Sequence, residues 1–212
     1  MRRDPDWPMP KYAPGPHDDI FALGVISLNY CHLEHMFSIL FGYAVGMTEV
    51  QVRVLFQRLQ NDSRLKVLAQ LTGQRDELPA EFKELVKHFA AGYEICAVNR
   101  NSIMHSHSGG LFRSESRGTA GILLTKFTRS GDELVSPVDL HDLRRVADEI
   151  HTYTMFGASL GTDLHIFRTL HARGETYEPS PLSDRPPLPL SLDWRPLSEF
   201  QAQARQPEPS QG

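Results

Sequence analysis

The sequence predicts an all-α fold, a four-helix up-and-down bundle with a small β-hairpin insert between the third and fourth helices. Three observations carry this. Apolar residues recur at three- and four-residue steps through most of the chain, only Leu111 to Val135 changes to β-branched and aromatic runs, and proline is concentrated at the two ends. Of 15 prolines in 212 residues, five lie at positions 5 to 16 and eight at 179 to 209, leaving Pro79 and Pro137 between His17 and Glu178. Proline removes a backbone donor and breaks helix interiors, so its distribution draws the boundaries. The expected organisation is a disordered Pro-rich tail at 1–16, the bundle at 17–172 with its insert at about 111–136, and a Pro-rich, disordered tail at 173–212. Leu190, Trp194 and Leu197 share a helical face, which leaves docking of the C-terminal tail as the alternative.

Each element has its own signal. From Asp18, the residues Leu23, Ile26, Tyr30, Leu33, Phe37, Leu40 and Ala44 form one apolar face and predict the first helix. Thr48-Glu49-Val50-Gln51 has capping-box spacing, and Asn61-Asp62-Ser63 offers a fresh cap, so the second helix is broken and ends at Gly73. Pro79 suits a first turn, and Phe82, Leu85, Phe89, Tyr93 and Cys96 carry the third helix to about His107, where Gly109-Gly110 ends it. Ile122 to Thr128, between Arg117-Gly118 and Ser130-Gly131-Asp132, predicts the hairpin. After Pro137, Asp139 caps a last helix carrying Leu143, Val146, Ile150, Tyr153, Leu160, Leu164 and Phe167. Gly157 and Gly161 on that helix indicate tight packing.

Composition excludes several classes. A hydrophobic fraction of 40% rules out global disorder. No apolar run approaches the roughly 18 residues of a membrane span, and the N-terminus leads into no signal-peptide core, so no membrane association and a cytoplasmic location are expected. Cys31 and Cys96 are too few and too far apart for a disulfide framework or a thiolate zinc site. His32 and His35 lack the Glu-x-x-His companions of a diiron bundle, and His105, His107 and Glu115 make a poor metal set. No metal and no cofactor are expected.

Chemistry concentrates at Asn99-Arg100-Asn101-Ser102-Ile103-Met104-His105. Arg100 continues the stripe of Phe89, Tyr93 and Cys96, where a cation is costly unless paired or facing a cleft. Arg100, Asn101 and His105 share one arc of helix, with about 7.5 Å of rise between the first and last. Histidine exchanges protons near neutrality and arginine stabilises phosphate charge, a combination suited to cleaving RNA without a metal. The alternative is an Arg–Glu pair inside the bundle and a solvent-facing histidine. Glu34, beside Leu33, is a candidate to pair with Arg100 or Lys66. The body is acidic, with 16 Lys/Arg against 20 Asp/Glu from His17 to Glu178, yet Arg100, Arg113, Arg117, Lys126 and Arg129 face only Glu115 between positions 100 and 131. Arg113, Arg117, Lys126 and Arg129 are therefore candidates for an RNA backbone, with an ordinary solvated hairpin as the alternative.

Arg100-Asn101 followed by three residues and His105 resembles the Arg-polar-x3-His motif of the HEPN superfamily, over roughly His17 to Leu170. The resemblance implies a homodimer whose paired motifs meet in a cleft. It implies a metal-independent endoribonuclease, of toxin or defence type, with Arg100 and His105 catalytic and Asn101 and Glu34 supporting. RNA is then the substrate, and an antitoxin or other regulatory protein the implied partner. The alternative within the resemblance is a non-catalytic module for dimerisation and protein or nucleotide binding.

Overall fold

The computed structural model describes residues 17–113, 120–177 and 185–204. The expected tail at 1–16, Arg117 and the remainder of the expected C-terminal tail lie outside the described residues. The elements run α1 (His17–Val45), α2 (Glu49–Arg58), α3 (Asn61–Gly73), α4 (Ala80–His105), β1 (His107–Arg113), β2 (Ala120–Phe127), β3 (Glu133–Asp139), α5 (Leu140–Ala172), β4 (Arg195–Pro196) and α6 (Leu197–Ala204).

This is a mixed α/β fold, which corrects the expected all-α bundle. Among the described residues there are six helices and a four-stranded antiparallel sheet in the order β1-β2-β3-β4. Gly109 and Gly110, expected only to end a helix, lie inside β1, where the register to β2 shifts between Ser108 and Leu111. Such a shift absorbs glycines that would otherwise weaken a strand. Pro137 sits in β3 opposite Leu123. It is tolerated because β4 pairs only with Leu134 and Val135, leaving the Pro137 end of β3 without a second neighbour in the sheet.

The chain divides into two compact units. The sheet unit takes in the start of α1 to Val25, Asn101 to Arg145, and the chain from Leu192 onward. Leu124, Val135, Val138 and Leu192 are buried in it. Asp139 caps α5 as its sequence position predicts: its Oδ1 accepts from the Asp142 amide at 3.0 Å, and its own amide donates back to Asp142 Oδ2 at 3.2 Å.

The helical unit comprises Ile26 to Arg100 and Val146 to Ser191. Its core follows the predicted stripes: Ile26, Tyr30, Leu33, Phe37, Leu40 and Ala44 of α1, Phe82, Phe89, Tyr93 and Cys96 of α4, and Ile150, Tyr153, Leu160 and Leu164 of α5 are all buried. Phe37 stands among rings, with centroids of Tyr93 at 4.4 Å, Phe56 at 5.2 Å and Phe89 at 6.1 Å. Burying each such side chain contributes about 1.5–3 kcal/mol. Two glycines let rings approach backbone. A Cβ at Gly157 would lie 2.6 Å from the Phe89 ring, and one at Gly92 only 1.9 Å from that of Tyr153. The end of α1 is closed by Arg75, whose Nη1 donates to the Tyr43 and Ala44 carbonyls at 3.0 and 2.9 Å.

Among the described residues no single helix is long and apolar enough to cross a membrane; α1 and α2 pass that test only as a pair bent by 120°.

Candidate functional site

The motif residues separate by environment. Arg100 is half-buried in the helical unit, its guanidinium carbon 5.3 Å from the centroid of the Tyr30 ring. Asn101 and His105 belong to the sheet unit and are exposed, His105 in the last turn of α4. No Arg–His catalytic cluster emerges among the described residues, and no group of three or more His, Cys, Asp or Glu is arranged to hold a metal. The expected RNA-backbone residues are equally dispersed. The Arg113 side chain and all of Arg117 lie outside the described residues, and Arg129 is exposed in the β2–β3 turn. Lys126 is half-buried with its ammonium 3.8 Å from the centroid of the Trp194 ring, and burial lowers its pKa.

Glu34 does form an ion pair, but with Arg64 at 3.5 Å rather than with Arg100 or Lys66. Lys66 pairs with Asp62 one turn earlier on the exposed face of α3. Arg64 is the residue that the sequence reading missed. The chain breaks between α2 and α3, where Leu59 and Gln60 are extended, and this return lets Arg64 reach back over α2. Its guanidinium carbon lies 4.5 Å from the Phe56 ring centroid, its Nη1 donates to Asn61 Oδ1 at 2.8 Å, and its Nη2 donates to the Phe56 carbonyl. Asn61, expected as a cap, is instead the first residue of α3, and its amide donates to the Tyr30 hydroxyl at 3.0 Å. Tyr30 and Tyr93 share a hydrogen bond of 3.3 Å.

The result is a polar chain from α4 through α1 to α3, Tyr93–Tyr30–Asn61–Arg64–Glu34, buried at its two tyrosines and partly exposed at Glu34, with Arg100 stacked at Tyr30. Burial pushes the pKa values of Tyr30 and Tyr93 up, so both hydroxyls stay protonated and able to donate. Such a network holds its members in one geometry when each has a hydrogen-bond companion.

The outer end of this chain opens into a cleft of about 730 Å3 lined by α1, α2 and the start of α3. Ile39, Tyr43, Val52 and Phe56 form its apolar floor. Glu34, His35, Ser38, Gln57 and the two arginines Arg53 and Arg64 supply polar groups around it. Both arginines are already paired, Arg53 with Glu49 at 2.6 Å and Arg64 with Glu34. The cleft therefore offers hydrogen bonds and apolar surface without an excess of either charge.

The endoribonuclease expectation is thereby corrected. It required an all-helical bundle with an Arg/His site, whereas the fold is mixed α/β, and neither ribonuclease nor hydrolase activity finds support in it. Comparison with family models, curated proteins and solved structures finds no match to this chain.

Proposed function

We propose that the helical unit is a binding module whose cleft between α1 and α2 takes a small amphipathic molecule. The observation that supports this reading is the cleft itself: about 730 Å3 of space, in the size range of small-molecule sites, with an aliphatic and aromatic floor and a few convergent polar groups. The ligand's apolar body lies on Val52, Phe56 and Tyr43. Its polar head is neutral and hydrogen-bonds near His35, Ser38 and Gln57, because Arg53 and Arg64 are engaged by carboxylates. The Arg64–Asn61–Tyr30 network fixes the wall that the head meets, so little of the site must be ordered on binding.

A neutral naphthylamine dye that brightens in apolar surroundings tests this on the full chain. Saturable binding to one site is expected, weakened at least tenfold by Ser38→Trp, which fills the cleft from its rim. Absence of binding, or binding unchanged by that substitution in a folded protein, overturns the reading.

A further inference from the structure

A second surface of the helical unit is already occupied, and by the chain itself. Residues 185–191 run without helix or strand along α4 and α5, in the part of the sequence whose composition marks it as tail. Four side chains hold their backbone. His88 Nε2 donates to the Pro186 carbonyl at 2.8 Å, and the Tyr153 hydroxyl donates to the Pro187 carbonyl at 3.3 Å. Asn99 Nδ2 donates to the Leu190 carbonyl at 2.9 Å, and the Leu190 amide donates to Glu149 Oε1 at 3.2 Å.

The pattern of donors fits the chemistry of the segment. Pro186, Pro187 and Pro189 have no N–H, so a chain of this kind offers mainly carbonyls, and three of the four contacts are donors aimed at carbonyls. The one carboxylate meets the amide of a non-proline residue. Arg185, Pro186 and Leu188 each precede a proline, which disfavours helix and favours the polyproline II conformation, whose carbonyls are left without internal partners. The groove is built to stay in place. Tyr153 is buried against Gly92, where any Cβ would collide with its ring, and its hydroxyl also lies 3.1 Å from His88 Nε2. Burial raises the Tyr153 pKa to about 12, which keeps the hydroxyl a donor.

The apolar side chains of the segment contribute less. Leu188 and Leu190 remain 46% and 63% exposed, while Pro189 is buried. Recognition thus rests on backbone carbonyls and the buried ring of Pro189, features that an extended Pro-Pro-x-Pro peptide shares. We propose that the α4–α5 groove of His88, Asn99, Glu149 and Tyr153 is a recognition site for extended proline-rich peptides, held in the resting chain by its own residues 185–191. A proline-rich segment of another protein competes with this internal occupant, and the internal segment sets the threshold for binding.

The test uses the full chain and a fluorescent peptide of the sequence Arg185 to Asp193. Wild type is compared with a chain in which Pro186, Pro187 and Pro189 are replaced by glycine, a change that makes ordering of the internal segment more costly. The peptide is expected to bind the variant at least tenfold more tightly than wild type. Adding Tyr153→Phe to that variant is expected to weaken binding several-fold, and a peptide with its prolines replaced by glycine to lose it. No peptide binding by the folded variant, or binding indifferent to Tyr153→Phe, assigns the segment a purely structural role and overturns the proposal. Should the glycine variant fail to fold, hydrogen exchange at the Leu190 amide of wild type decides instead. Excess peptide is expected to accelerate it, and an unchanged rate overturns the proposal.

Discussion

Asp19 sets burial against charge at a single residue. Its place in the first turn of α1 favours a carboxylate, yet the side chain is buried, with Asp18 and Asp139 close enough to oppose its ionisation. Burial acts most strongly, then these two acids, and together they outweigh Arg144 and raise its pKa. A raised carboxyl pKa means that the folded chain holds the proton more tightly than the unfolded one. Its contribution is therefore complete below the ordinary carboxylate range and is lost as pH rises through the folded pKa. Asp19→Asn is accordingly expected to raise the melting temperature at pH 7, with the gain vanishing near pH 3; thermal unfolding followed at both values checks it. Residue-scale reading of the sequence succeeded in part. That Glu34 needs a cation follows from its place beside the apolar stripe, but the choice of Arg64 depends on how the chain turns between α2 and α3, which no local pattern contains. Arg100 was legible as a cation on a core stripe, and its contact with Tyr30 answers part of that expectation without a phosphate.

Element boundaries were legible where side chains speak to nearby backbone. The Thr48–Gln51 capping box forms as its spacing predicts, with Gln51 N donating to Thr48 Oγ1 at 3.4 Å and Thr48 N donating to Gln51 Oε1 at 2.9 Å. The box starts α2, a short and largely exposed helix that forms one wall of the cleft. Thr48→Ala is expected to cost about 1 kcal/mol of stability. Faster amide exchange at Gln51 and Val52, together with weaker dye binding, is the measurable consequence. The expected hairpin corresponds to β2 and β3, but the two outer strands of the sheet were not legible. β1 pairs with β2 through a run that carries Gly109 and Gly110, and β4 reaches β3 from about sixty residues further along the chain, Arg195 pairing with Val135 and Pro196 with Leu134. The glycines of β1 and the proline of β3 give local signals against strand, and tertiary pairing overrides them. Composition marks 173–212 as a tail, and what it does not contain is the set of donors from His88, Asn99 and Tyr153, 98, 91 and 34 residues away in sequence, that meet the carbonyls of Pro186, Leu190 and Pro187.

At the scale of the whole molecule, helical periodicity identified the stripes that build the helical unit, but a bundle reading placed too little weight on the chain between α4 and α5. The site expected from the Arg100–His105 motif gives way to a cleft assembled from α1, α2 and Arg64, where aromatic packing and a partly buried polar chain meet. Apart from the capping box that starts α2, its parts form no motif in sequence; the cleft exists because the α2–α3 return brings Arg64 to Glu34 and Phe56. Its two rim ion pairs are worth little individually, and Arg53–Glu49 is largely exposed, so the shape of the cleft rests on the apolar floor and the Tyr30–Asn61–Arg64 chain. Backbone amide NMR of the full chain, titrated with the neutral naphthylamine dye, locates the binding surface directly. The account predicts that saturating shifts fall on Glu34 to Tyr43, Glu49 to Gln57 and Arg64. Shifts centred on Arg100 to His105, or none at all, would contradict it.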